Sequence, residues 1–239
     1  MKRLICCMMF LTLLVLPAFA EEDRVVVDPR LQPAVAISFD DGPTEFTQPI
    51  LDILEQYGCR ATFFMVGTNM NLRPGMVKAV YESGNEVGLH TWRHNDLTEM
   101  DMKAIVRNLE LCQNIVTEQT GTRARWLRPP YGKVGPAAYG ACREHDMYIA
   151  TWSNDSRDWA SQNALKIHDT VLDQLQNGDI ILFHDTHAET VEALPGILEE
   201  ILDRGYQVLT VDELLSFRVS LSSGTHYYHL DMKNLKPLE

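Results

Sequence analysis

The sequence has little cysteine, a deficit of positive charge and, past its first twenty residues, no long apolar run; each shortage removes a class of function. Five cysteines occur in 239 residues, and Cys6 and Cys7 fall in the N-terminal apolar run, leaving Cys59, Cys112 and Cys142. An odd number at wide spacing closes no disulfide framework and builds no cysteine-rich zinc site, so buried free thiols are expected. Lys and Arg total 21 against 33 Asp and Glu. Nucleic acid asks for a basic face and is not expected as a partner. No segment after residue 20 is apolar enough to span a bilayer. There is also no internal repeat and no glycine-rich phosphate loop.

What is present begins with an N-terminal export signature. Residues 1–20 open on Lys2 and Arg3, run apolar from Leu4 to Leu16 and close on Ala18-Phe19-Ala20 ahead of Glu21 and Glu22. That pattern predicts a secretory signal peptide with a small-residue cleavage site. The expected location is secreted or periplasmic, in the cell envelope, with no stable membrane insertion after cleavage. Cleavage removes two basic residues and no acidic one, so 19 basic residues face 33 acidic ones and the formal charge becomes −14. A polar lead (21–33) then precedes one domain at 34–217, and residues 218–239 form a tail without periodicity. At 45% apolar, the chain can fill a single large core. A monomer is expected.

The stretch 34–43, A-V-A-I-S-F-D-D-G-P, organises the rest. Val35, Ile37 and Phe39 alternate with smaller residues and the run stops at two carboxylates and a Gly-Pro breaker, which predicts a buried strand ending in a turn. Residues 47–57 carry Ile50, Leu51, Ile53 and Leu54 at helical spacing, with Gly58 as a stop. Further strands are expected at 61–67, 86–90, 125–127, 147–152, 180–183 and 206–209. Helices are expected at 74–83, 102–117, 136–145, 165–176, 191–204 and 211–217. Seven strand-helix pairs in alternation predict an α/β fold with a parallel sheet, either a distorted (β/α)7-type barrel or an open doubly wound sheet. Asp40 and Asp41, His90, Arg128, the segment 152–159, and His184 with Asp185 all follow different strands. Only a barrel gathers so many strand ends around one cavity, so the barrel is preferred.

Those strand ends carry the chemistry. Neighbouring carboxylates repel unless a cation or a proton relieves them, which makes Asp40-Asp41 a candidate metal site; a polar turn is the plain alternative. His90 and His94, in H-T-W-R-H, have the i, i+4 spacing of metal ligands. With one aspartate they would form a 2-His-1-carboxylate set with open positions, suited to a divalent ion holding water. Arg128, in R-P-P-Y-G, offers a permanent bidentate donor on a stiff loop, or else a surface salt bridge. N-D-S-R-D-W (154–159) supplies two carboxylates followed by an aromatic, and L-F-H-D (182–185) ends an apolar strand in a titratable imidazole.

Taken in order, S-F-D-D-G-P, H-T-W-R-H, R-P-P-Y-G, D-S-R-D-W and L-F-H-D resemble the five motifs of the polysaccharide deacetylases, the NodB-homology or carbohydrate esterase family 4 group. The likeness runs from about Ala34 to Phe217. Ser38 replaces the commoner Thr, and Leu89 stands where Asn is frequent; neither removes a chemical group. The resemblance implies a NodB-homology barrel and a metal-dependent polysaccharide N-deacetylase acting on N-acetylglucosamine units of peptidoglycan or a chitin-like polymer. Asp41, His90 and His94 would hold the metal, zinc first, with cobalt or nickel as alternatives. Asp40 would be the general base and His184 the general acid, with Arg128 and Asp158 as their respective partners. Tyr131 would offer its backbone N–H to the oxyanion, and Trp159 and Leu182 would wall the acetyl pocket. An O-acetyl esterase acting on acetylxylan or another acetylated glycan is the nearest alternative, since the same site cleaves esters.

Overall fold

The computed structural model describes residues 25–237; the predicted signal peptide lies outside them. The expected organising strand, β1 (Ala34–Asp40), is buried at every position. It is followed by α1 (Thr47–Gln56), β2 (Thr62–Met65), two short helices α2 (Gly67–Leu72) and α3 (Met76–Glu82), β3 (Glu86–Leu89) and the long α4 (Met102–Thr120). Then come β4 (Trp126–Leu127), α5 (Pro136–Glu144), β5 (Tyr148–Ala150), β6 (Asn154–Asp155), a one-turn α6 (Asp158–Ser161) and α7 (Ala164–Gln174). The chain continues through β7 (Ile180–His184), α8 (Ala188–Asp203), β8 (Gln207–Leu209), α9 (Val211–Leu215) and β9 (His226–Tyr227).

Local chemistry fixes these boundaries. The Asp101 side chain accepts from the Ala104 amide and starts α4, and Gly121 ends it at φ 72°, where a side chain would be strained. Between these caps Ile105, Leu109, Cys112 and Val116 recur on one buried face. A reciprocal capping box between Thr210 and Glu213 opens α9.

All the strands named above pair in parallel, in the order β6-β7-β1-β2-β3-β4-β5-β9. On one edge of β1, β7 runs from Ala36↔Ile180 to Asp40↔His184. β8 pairs with the first half of β1 (Ala34↔Gln207) and β2 with the second half (Ser38↔Thr62), so these two share the opposite edge. Although β5 and β6 lie near opposite ends of this path, Ala150 and Asn154 are four residues apart in the chain. Four Cα steps reach at most about 15 Å, so the sheet must curl round on itself. The result is the expected distorted barrel, a curled parallel sheet in a single domain.

Three details differ from the sequence reading. The strand expected at 147–152 is the shorter β5, and a further two-residue strand, β6, follows it across the barrel gap. β8 serves as a short prop under β1 rather than a full stave. The stretch after Phe217, which lacks periodicity, adds β9 against β5 and buries Tyr227 and Leu230.

The period of two along β1 separates two cores. Val35, Ile37 and Phe39 face outward to the helices, where Phe39 stacks on Phe63 at 5.1 Å and on Phe183 at 5.6 Å. Ala34 and Ala36 face the barrel interior with Phe64, Trp126, Leu209 and Tyr227. Ser38 and Asp40 continue that inner row, and the small residues beneath them leave room for a charged side chain inside the barrel. Among the described residues, Cys59, Cys112 and Cys142 are buried and none of them forms a disulfide. Among the described residues, no helix is long and apolar enough to cross a membrane.

Candidate active site

Beyond Asp40 the chain leaves β1 through a turn that places Asp41 at φ 75°, an uncommon conformation for a residue with a Cβ. Such strain persists where the surroundings over-determine it. Here the Asn69 side-chain amide donates to the Asp41 carbonyl at 2.7 Å, and the Val66 amide to the Gly42 carbonyl at 2.8 Å.

His90 follows β3, and its Nδ1 lies 2.7 Å from the Arg128 carbonyl. A carbonyl can only accept, so Nδ1 carries the proton and Nε2 keeps its lone pair. That Nε2 is 3.4 Å from Asp41 Oδ1, and the Nε2 of His94 is 3.3 Å from the same oxygen. The two histidines are joined by a tight turn rather than a helix, with Thr91 and His94 both at positive φ. Asp41 Oδ1 is buried and accepts no hydrogen bond. Burial, opposed by Asp41, pushes the His90 imidazole down to about 3, so it is neutral at ordinary pH, as a metal ligand must be. Asp41, His90 and His94 offer three ligand atoms within 4.8 Å of one another, and an orphaned carboxylate oxygen between two imidazole Nε2 atoms fits a shared divalent cation.

Two carboxylate–cation pairs flank this triad. The Arg128 guanidinium is fully buried inside the barrel and donates to Asp40 Oδ1 and to Ser38 Oγ, both at 2.8 Å. Its remaining donors reach the carbonyls of Thr151 (3.0 Å) and Ala150 (3.3 Å), and its plane lies over the Phe64 ring at 4.0 Å. Arg128 is thus an internal strut, not a surface ion pair. Burial raises the Asp40 carboxyl above its ordinary range and the Arg128 charge opposes that rise, which suits a group that must take up a proton and release it.

On the other flank, His184 ends β7 and places Nδ1 2.7 Å from Asp158 Oδ1. Asp158 is fully buried; its Oδ2 also accepts from the His184 amide (2.7 Å) and from the Thr190 hydroxyl (2.8 Å). Burial works against the Asp158 charge, but these bonds outweigh it and hold the carboxyl below its usual range. Burial likewise disfavours the His184 imidazolium. The Asp158 hydrogen bond and charge overcome this, helped by Asp40 and Asp41, and push His184 up to about 9.

The triad, Asp40 and His184 open into one cavity of about 460 Å³, which Tyr131, Trp159 and Leu182 also line, while Arg128 and Asp158 lie buried behind it. Tyr131 stands on its rim at φ 60°, 62% exposed, and Trp159 is 52% exposed, so two aromatic faces are presented to solvent beside Asp41, His90 and His94. Every residue predicted from the sequence for the site is therefore in this place or packed directly behind it. Trp152, at the start of the segment 152–159, also lines the cavity, as does His187, which no spacing signal marks because it is a lone side chain on a loop. Ser38 and Thr190, which hold Arg128 and Asp158, are single hydroxyls with the same lack of signal. Asp155 and Asp185 lie within the motifs, Asp155 on the cavity wall and Asp185 buried behind it.

The profile of the family described as Polysaccharide deacetylase matches residues 28–150. The chain is 34% identical over 195 residues to the peptidoglycan-N-acetylglucosamine deacetylase PgdA of Listeria monocytogenes, covering 81% of this chain and 41% of that one. It is 34% identical to a peptidoglycan-N-acetylglucosamine deacetylase of Bacillus cereus, covering 80% of this chain and 92% of that one. A solved structure described as T48 deacetylase with substrate superposes with a TM-score of 0.80 at 31% identity, covering 84% of this chain and all of the other. The chain belongs to the polysaccharide deacetylase family. It spans about two-fifths of the length of the Listeria relative.

Proposed function

We propose that the protein is a secreted, metal-dependent deacetylase that hydrolyses N-acetyl groups on N-acetylglucosamine units of a cell-wall polymer such as peptidoglycan. The observation that carries this reading is the convergence, in one open cavity, of the Asp41–His90–His94 triad, with its orphaned Asp41 oxygen, with a buried carboxylate on one side and a charged imidazole on the other. The names of the peptidoglycan-directed relatives support the choice of polymer. The export signature of residues 1–20 supports action outside the cytoplasm.

Asp41, His90 and His94 would hold a divalent ion, zinc being the first choice, which when bound supplies Lewis acidity to water and to the acetyl carbonyl. Asp40, oriented by Arg128, takes the proton of the attacking water. The Tyr131 backbone N–H, as the family resemblance implies, donates to the oxyanion that forms as the water oxygen adds to the carbonyl carbon. His184, held and charged by Asp158, gives its proton to the nitrogen as the C–N bond breaks, so that an amine and acetate leave. Trp159 and Leu182 exclude water from the acetyl methyl, and the exposed Tyr131 and Trp159 faces leave the glycan side open.

Acetate release by the purified mature chain, assayed side by side on peptidoglycan, N-acetylglucosamine oligomers and acetylxylan, tests the reading. Release from either N-acetylated substrate is expected. Release from acetylxylan alone would replace the amidase with an O-acetyl esterase.

A further inference from the structure

Asp185 takes no part in the chemistry above, yet it is fully buried directly behind the turn that carries the metal ligand Asp41. Its amide donates to the Asp40 carbonyl at 3.2 Å. Its carbonyl accepts from the Thr44 hydroxyl, and its Oδ2 accepts from the Thr47 hydroxyl at the start of α1. Its Oδ1 is buried with no hydrogen-bond partner. The carboxylate lies flat against Gly42: a Cβ built on that glycine would overlap both carboxylate oxygens and the carbon between them. What separates Asp185 from Gly42 is thus a Cα–H facing two oxygens, a weak attraction that no other residue at 42 could make.

These contacts grip the chain from Asp40 to Thr47 at four points, and Asp41, in its left-handed conformation, is inside the grip. Leaving a buried carboxylate oxygen without a donor costs free energy, and such a cost persists at positions whose geometry serves a function. The carboxylate also stands behind two further carboxylates, Asp40 and Asp41, an arrangement that a cation at the triad would relieve.

We propose that Asp185 is a positioning residue for the metal centre: by clamping Gly42 and Thr47 it holds Asp41 in the strained geometry that brings its Oδ1 between His90 and His94. The inference rests on the metal site proposed above. Residues that orient metal ligands typically change affinity ten- to a hundredfold when altered.

The test is the zinc dissociation constant of the folded chain, measured by competition with a chromophoric chelator, alongside circular dichroism and the rate of acetate release. Asp185→Asn is expected to weaken zinc about tenfold and Asp185→Ala toward a hundredfold, with rates recovering in excess zinc. Thr47→Val, which leaves the carboxylate in place but removes its one hydroxyl partner, should weaken zinc in the same direction. It decides the matter if the Asp185 variants fail to fold. Dissociation constants within twofold of wild type in folded variants would overturn the clamp and leave Asp185 a structural residue. A wild-type chain that binds no divalent ion would overturn the metal site itself, and the clamp with it.

Discussion

His90 donates its Nδ1 proton to the backbone carbonyl of Arg128 at 2.7 Å, while the Arg128 side chain holds Asp40 at 2.8 Å. One residue therefore orients a proposed metal ligand with its main chain and the proposed general base with its side chain. The two functions separate under mutation. In Arg128→Met the carbonyl remains, so divalent-ion content should stay near one per chain. Asp40 loses its counter-charge, and breaking a buried pair costs about 3–5 kcal/mol. Chemical denaturation should show that loss. The acid limb of the rate profile should move to higher pH, because the Asp40 carboxyl, already raised by burial, rises further without Arg128.

The adjacent carboxylates Asp40 and Asp41 should part in the same way. Chelation is expected to abolish activity, and added zinc to restore it. Asp40→Asn should keep its metal while the rate falls by about two to four orders of magnitude. Asp41→Ala should lose metal and activity together. Elemental analysis of both variants beside acetate-release rates checks the assignment, and equal metal loss in both would refute it.

Asp158→Asn removes the anion that keeps His184 charged, so the alkaline limb of the rate profile should shift to lower pH. His184→Ala should abolish that limb and slow amide substrates more than activated aryl esters, since a phenolate departs without a proton. The same pair gives a stability prediction. The folded-state value for His184, about 9, lies above the roughly 6.5 of an unfolded histidine. Its contribution is complete below the unfolded value and is lost as pH rises through the folded one. Melting temperatures of the metal-free chain should therefore fall between about pH 6.5 and pH 9, and Asp158→Asn should flatten that fall.

Tyr131 gives a prediction of a different kind. Its phenolic oxygen is 3.2 Å from His94 Nδ1, and its ring meets that imidazole edge-on at 4.7 Å. Tyr131→Phe keeps the ring and the backbone and removes only the hydroxyl. Zinc affinity should drop by up to about tenfold with little change in rate at saturating zinc. Equal affinity in the two proteins would show that the hydroxyl does not orient His94.

Much of this arrangement is legible in the sequence because barrel chemistry sits at the ends of strands. The apolar runs at Val35, Phe63 and Ile181 mark the strands, and the polar motifs directly after such runs mark the site. The short elements are harder to read. β4 and β6 have two residues each and carry no period, and β9 follows a stretch with no apolar repeat, so their pairing is decided by tertiary contact. Arg128 shows the limit most clearly: its motif was visible, but not that its guanidinium would cross the barrel to Ser38, which depends on the small inner row of β1. Asp185 was equally visible beside His184, yet nothing in the sequence reveals that its carboxylate lies on Gly42.

The strand β9 also bears on how far the chain can be shortened. It is bound to β5 through the Ile149 and Thr151 amides, packs Tyr227 edge-on against Trp126 and Tyr148, and joins His226 to the Thr151 hydroxyl at 2.7 Å. The carbonyl of that same Thr151 holds Arg128. A chain trimmed after α9 would look complete by its motifs but would bare a row of unpaired amides and two aromatic rings. Open strand edges recruit one another, so such a trimmed protein is expected to self-associate and to loosen the Asp40 strut from behind.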